Sequence, residues 1–94
     1  MKTIDELTAL LKEALQHPDR LSQKIRQFQE DVWSAGNAGG DSAAWEVLRE
    51  LTYDLEFFVP DEKMREEDVS YYGPDRAARE IREALEKISK LQRP

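Results

Sequence analysis

Residues 21–35, LSQKIRQFQEDVWSA, decide the fold of this 94-residue chain. Apolar side chains recur in this stretch at alternating steps of four and three residues, at Leu21, Ile25, Phe28, Val32 and Ala35. This spacing, close to 3.6 residues per turn, aligns the five side chains along one face of an α-helix and leaves the other positions polar. The stretch therefore predicts an amphipathic helix whose apolar stripe is buried against other helices.

Three further stretches have the same spacing and predict helices. They cover approximately residues 3–16, 42–58 and 74–91, and the helix of residues 21–35 is expected to begin at Pro18. The predicted core stripes of these three helices are Ile4, Leu7, Leu11 and Ala14 or Leu15 in the first, Ala44, Leu48, Leu51, Leu55 and Phe58 in the second, and Ala78, Ile81, Leu85, Ile88 and Leu91 in the last.

The ends of these helices have recognisable signals. Thr3 and Glu6 have the spacing of a capping box, and Asp41 or Ser42 is expected to cap the third helix. The glycine-rich segment GNAGG at 36–40 ends the second helix, since glycine adopts the left-handed conformation that follows many helices. Four amphipathic helices with mostly short links predict an all-α single domain over residues 1–94, an antiparallel four-helix bundle with an acidic loop before the last helix. A three-helix core with a loosely attached first helix is the alternative.

The negative charge of the chain is concentrated in residues 46–75. This segment has ten acidic and three basic residues, whereas the other residues have ten acidic and eleven basic ones, so the formal net charge of −6 arises from one third of the chain. A surface of this sign repels phosphates, so we expect no direct binding of nucleic acid and instead a basic protein partner. The chain has no cysteine and no long apolar run, which predicts a soluble, cytoplasmic protein that does not enter membranes.

Two parts of this segment are candidate binding surfaces. On the third helix, Glu50, Tyr53, Asp54 and Phe57 fall outside the core stripe, and exposed aromatics among repelling carboxylates are typical of a partner surface. Alternatively, the two aromatic side chains pack beneath the following loop and the acids are only solvated. The loop itself repeats the same chemistry, with Asp61, Glu62, Glu66, Glu67, Asp68, Tyr71 and Tyr72. Its tyrosines either contact a partner or anchor the loop to the helices.

Metal sites and catalytic sets are not apparent in the sequence. A calcium loop starting at Asp61 fails, because Lys63 and Arg65 stand where carboxylates are needed. The single histidine, His17, precedes a proline and has no cysteine to pair with. We therefore expect no cofactor, no metal and no enzymatic activity.

Residues 53–88, YDLEFFVPDEKMREEDVSYYGPDRAAREIREALEKI, resemble the bacterial self-protective immunity proteins of the colicin D type. The resemblance rests on an aromatic-Pro-Asp turn, a following basic and acidic group, and a closing helix, formed by Phe58, Pro60, Asp61, Arg65, Glu67, Asp68, Glu80, Ala84, Leu85, Glu86 and Lys87. It implies a small acidic four-helix protein that blocks the basic catalytic domain of a cognate tRNA-cleaving toxin, with Asp61, Glu67 and Asp68 as the first candidates for contact.

The leading hypothesis is thus a monomeric immunity protein that occludes a basic nuclease active site. The alternative is a small acidic helical adaptor or antitoxin-like protein that binds another basic protein, and a carboxylate-dependent enzyme ranks third. The predicted partner-binding residues are Glu50, Tyr53, Asp54, Phe57, Asp61, Glu62, Glu66, Glu67, Asp68, Tyr71 and Tyr72.

Overall fold

The computed structural model describes residues 3–35 and 42–92, and these residues form an all-α structure. Residues 36–41 are not among them, so the predicted glycine-rich helix end falls outside the described residues. The helices are α1 (Ile4–Gln16), α2 (Leu21–Ala35), α3 (Ala43–Asp54), the single turn α4 (Glu62–Arg65) and α5 (Pro74–Gln92).

Local signals in the sequence set several of these helix ends. Thr3 and Glu6 form the predicted capping box at the start of α1. The Ser42 hydroxyl accepts a hydrogen bond from the Trp45 N–H at 3.2 Å, so Ser42 caps α3. At the start of α5, Pro74 occupies the first helical position, where its missing N–H leaves no hydrogen bond unmade.

Two helix ends differ from the prediction, because short 3₁₀ turns replace α-helix there. Residues Pro18–Arg20 form a 3₁₀ turn and α2 begins only at Leu21. Likewise α3 ends at Asp54, and Leu55–Phe57 form a 3₁₀ turn that leads into the extended backbone at Phe58. Tighter i to i+3 hydrogen bonds are common at helix termini, where i to i+4 partners run out.

The predicted stripe of α2 is entirely buried, and α1 contributes four buried residues. The long helices each pack against two others: α1 contacts α2 and α5, and α3 contacts α2 and α5. The first helix is therefore part of the core and is not loosely attached. The buried side chains of α1, α3 and the adjoining turn are Leu7, Leu10, Leu11, Ala14, Trp45, Leu48, Leu51, Thr52 and Leu55.

On α5 the buried stripe is rotated relative to the prediction. Ala77, Ile81, Ala84 and Ile88 are buried, whereas the predicted Ala78 and Leu85 are half-buried and Leu91 is 50% exposed. Alanines on the contact face permit a close approach of neighbouring helices, which periodicity alone does not reveal. None of the helices within residues 3–35 and 42–92 is long and apolar enough to cross a membrane.

Two phenylalanines provide a direct test of this core. Phe28 is completely buried, and we expect Phe28→Ala to lower the free energy of unfolding by about 3–5 kcal/mol, because it removes a large side chain from a packed interior. The same change at Phe57, which is 44% exposed, is expected to cost less than about 1 kcal/mol. Urea unfolding followed by circular dichroism measures both variants, and equal losses would contradict the assignment of Phe28 to the core.

Candidate protein-binding face

The outward side of α3 and its 3₁₀ turn carries exposed aromatic side chains. Tyr53 is 63% exposed and Phe57 is 44% exposed, so neither packs beneath the following loop. Glu50 and Asp54, the two acids predicted as contacts on this helix, are also exposed. The buried residues of α3 lie on its other side, so this surface is available to a partner without loss of core packing.

A shallow groove between α3 and α5 brings acids from both helices together. Glu50 and Asp54 of α3 line it with Glu80 and Glu83 of α5, and Lys87 also lies at its edge. A second groove of about 360 Å³ adjoins the first at Asp54 and has Phe57, Ser70, Tyr72, Arg76 and Glu80 in its walls. We define the acidic face as Glu50, Tyr53, Asp54, Phe57, Glu80 and Glu83.

The acids of α5 were not predicted as contact residues, because in sequence they read as part of a solvated, evenly charged helix. Glu86 and Lys90 form an ion pair on the surface of this helix, at 3.3 Å. Glu80 differs from them, since it is half-buried and pairs with Arg76 at 3.6 Å. Only the packing of α5 against α3 shows that Glu80 and Glu83 share a surface with Glu50 and Asp54.

Tyr72 lies inside the core and not on the contact surface that the sequence predicts for it. Its side chain is 8% exposed, and its hydroxyl donates a hydrogen bond to the backbone carbonyl of Asp54. Its ring stacks with Phe58 at a centroid distance of 6.5 Å, and the guanidinium of Arg76 lies 4.8 Å from the ring centroid. Tyr72 therefore anchors the loop to the helices, in agreement with the alternative interpretation of the loop tyrosines. Tyr71 is half-buried.

The segment between α3 and α5 is closed at its base by backbone hydrogen bonds. We call residues 59–73 the acidic loop. The Val59 N–H donates to the Tyr72 carbonyl at 3.0 Å, and the Tyr72 N–H donates to the Phe57 carbonyl at 2.9 Å. This isolated bridge between Phe58 and Tyr72 fixes both ends of the loop against the helices.

Two acids of the loop form hydrogen bonds within the loop, and all of its acids are exposed. Asp61 accepts a hydrogen bond from the Lys63 N–H and Asp68 accepts one from the Ser70 N–H, both at 2.8 Å. These two carboxylates therefore shape local turns, in addition to being exposed. The predicted contact residues Glu62, Glu66 and Glu67 are exposed as well, and so are Met64 and Val69, two apolar side chains that charge-based reasoning overlooked.

The described residues contain no group of three or more histidine, cysteine, aspartate or glutamate side chains able to hold a metal ion. In comparisons with known proteins, the chain matches no family model, no curated protein and no solved structure. The resemblance of residues 53–88 to colicin D type immunity proteins therefore stays a prediction.

The ionisation of Tyr72 is a measurable property of this site. Burial, together with the negative charges of Glu80 and Asp54, raises the pKa of Tyr72 from 10.0 to about 12, and Arg76 opposes this shift. Because the folded protein favours the neutral phenol, the stability that this group contributes is complete below pH 10 and is lost as the pH rises towards 12.

We expect ultraviolet titration at 295 nm to show one of the three tyrosines ionising near pH 12. This late step should be absent from Tyr72→Phe, whose stability should also decline less between pH 10 and 12 than that of the unaltered protein. A late ionisation that persists in Tyr72→Phe would assign the raised pKa to another tyrosine.

Proposed function

We propose that this protein is an immunity protein that binds the basic catalytic domain of a bacterial toxin nuclease and occludes its active site. The observation that carries the proposal is the exposure of Tyr53 and Phe57 on a surface lined by carboxylates. Large aromatic side chains are uncommon on a surface that only contacts water, and they are frequent energetic centres of protein interfaces. The resemblance of residues 53–88 to colicin D type immunity proteins suggests the same function.

The charges of the face suit a partner that handles nucleic acid. All ten acids of residues 46–75 are exposed, whereas two of the three bases in that segment, Arg49 and Arg65, are half-buried. Such a surface attracts a basic active site over distances up to the Debye length of about 8–10 Å and speeds encounter with it. Carboxylates would then occupy the positions where the toxin binds the phosphates of its RNA, and the aromatic side chains would exclude water between them.

In this proposal the protein acts as a stoichiometric inhibitor in the cytoplasm, where tRNA is the substrate to be protected, and it has no cofactor and no catalytic activity of its own. We further propose that its four long helices form an antiparallel bundle, because each packs against two others. A monomer exposes the acidic face fully, so we propose that the protein binds its partner as a monomer.

Capture of the partner followed by an activity assay tests the proposal. The protein is immobilised, the bound protein is isolated from the native host, and its catalytic domain is purified and incubated with tRNA. We expect tRNA cleavage to stop at one equivalent of this protein. A captured nuclease that cleaves at an unchanged rate under saturation would refute the proposal, and a captured basic protein without nuclease activity would favour the helical adaptor instead.

Charge reversal in the acidic loop should slow association. We expect Glu66→Lys with Glu67→Lys to reduce the association rate constant about 10-fold at low salt, because two lysine cations in place of two exposed carboxylates would repel the basic partner. Asp68 is left intact, since its carboxylate holds the Ser70 N–H. The matched control is Asp19→Lys with Glu30→Lys, two exposed acids outside both the acidic face and the acidic loop. Stopped-flow measurements give the association rate constant of both double variants. An equal decrease in the two would show that association depends only on the net charge of the protein.

Removal of the exposed aromatics should speed dissociation. Tyr53→Ala and Phe57→Ala are each expected to weaken affinity by about 2 kcal/mol, chiefly through a larger dissociation rate constant. Trp33→Ala is the control, since Trp33 on α2 is 49% exposed, comparable to Phe57, but lies outside the acidic face. Surface plasmon resonance compares the three variants. If only Trp33→Ala weakened binding, the interface would lie on α2.

A further inference from the structure

We propose that Arg65 is a positioning residue that holds the acidic loop in its binding conformation, so that this cation strengthens the binding of a basic partner. The statement about binding rests on the function proposed above, whereas the statement about the loop does not. A positive charge among carboxylates would by itself weaken attraction to a basic surface. The charge of Arg65 is therefore expected to weaken the binding of a basic partner, whereas its contacts within the loop are expected to strengthen it. Because the two effects on affinity are opposite, they can be measured separately.

The guanidinium of Arg65 reaches from the middle of the loop to both of its ends. One nitrogen, Nη1, donates a hydrogen bond to the Val59 carbonyl at 3.3 Å, and Nη2 lies 3.7 Å from a carboxylate oxygen of Glu62. The same group packs against the backbone of Gly73 so closely that a methyl group at that position would overlap Nη1. The Arg65 side chain is 21% exposed as a result, which is low for an arginine in a surface loop.

Apolar packing does not hold the middle of the acidic loop in place. None of the residues from Pro60 to Ser70 is buried, and Met64 and Val69 point into solvent with exposures of 52% and 105%. The bridge between Phe58 and Tyr72 closes the base of the loop, and the ten residues from Asp61 to Ser70 lie between its two ends. Arg65 thus links the turn that carries Glu66 and Glu67 to both ends of the loop.

Lys63 offers a matched control for the charge. It lies in the same turn, α4, and has the same charge, but its side chain is exposed. Arg65→Met and Lys63→Met each remove one positive charge and leave an unbranched apolar side chain. We expect both to raise the association rate constant to a similar extent, about 2-fold at low salt, because both increase the net negative charge of the loop. Only Arg65→Met is expected to raise the dissociation rate constant, by about 10-fold.

Hydrogen exchange of the free protein tests the restraint without any partner. We expect the Val59 and Tyr72 amides, which form the bridge at the loop base, to exchange about 10-fold faster in Arg65→Met than in Lys63→Met. Amides of α1 and α2 should exchange equally in both variants. Unchanged exchange at Val59 and Tyr72 would overturn the proposal. Faster exchange there without binding of a nuclease would instead refute the proposed function and leave the role of Arg65 standing.

Gly73→Ala breaks the same contact without a change of charge. The added methyl group would displace the guanidinium, the mobile end of a flexible side chain, and the backbone of Gly73 is not in the left-handed region. We expect Gly73→Ala to raise the dissociation rate constant and leave the association rate constant unchanged. In the Arg65→Met background, Gly73→Ala should add less than about 2-fold, since the contact is already lost. Fully additive effects of the two changes would show that Gly73 and Arg65 act independently.

Discussion

The burial of Tyr72 is the constraint on which the arrangement of the candidate site depends. Its hydroxyl donates to the Asp54 carbonyl at the end of α3, its ring stacks on Phe58, and its backbone is bridged to the chain that leaves α3. Because α5 begins two residues later, at Pro74, the position of Tyr72 also sets where this helix starts against α3. Asp54 of α3 and Glu80 of α5 line the same groove as Tyr72.

On α3 the residues that fold the protein and the residues proposed to bind a partner are separate. Leu48, Leu51 and Leu55 fill the core, while Tyr53 and Phe57 are exposed on the other side. Carboxylates spaced four residues apart along the helix repel one another by only a few tenths of a kcal/mol per pair. A core of this size easily offsets that repulsion, so we expect substitutions of the exposed residues of the acidic face to have little effect on folding.

The sequence predicts the helices well and the site only in part. Every predicted core residue of α2 is buried. The predicted stripe of the third helix has the same 4-3-4-3 spacing, but Ala44 and Phe58 at its two ends are only half-buried. On α5 the spacing is compatible with two apolar stripes, because alanines occupy both positions 77 and 78. In the structure Ala77 is the buried one. The spacing of the third helix places Tyr53 and Phe57 outside the core stripe, and both are exposed. The membership of Glu80 and Glu83 in the face depends on the contacts between α3 and α5. Those contacts join residues far apart in sequence, so no local pattern encodes them.

Residues 46–75 show that the number of basic residues in a sequence does not tell how many of them a partner could contact. Three bases oppose ten acids between residues 46 and 75, yet two of these bases are engaged within the fold: Arg49 lies 5.8 Å from the centroid of the Trp45 ring, and Arg65 binds the Val59 carbonyl. Their side chains are half-buried, while all ten acids are exposed, so the charged groups that a partner could contact directly are mostly carboxylates. Arg65 and Lys63 contribute the same charge to the field that an approaching partner would meet. Arg65 differs from Lys63 in its contacts within the loop, to the Val59 carbonyl and to Gly73.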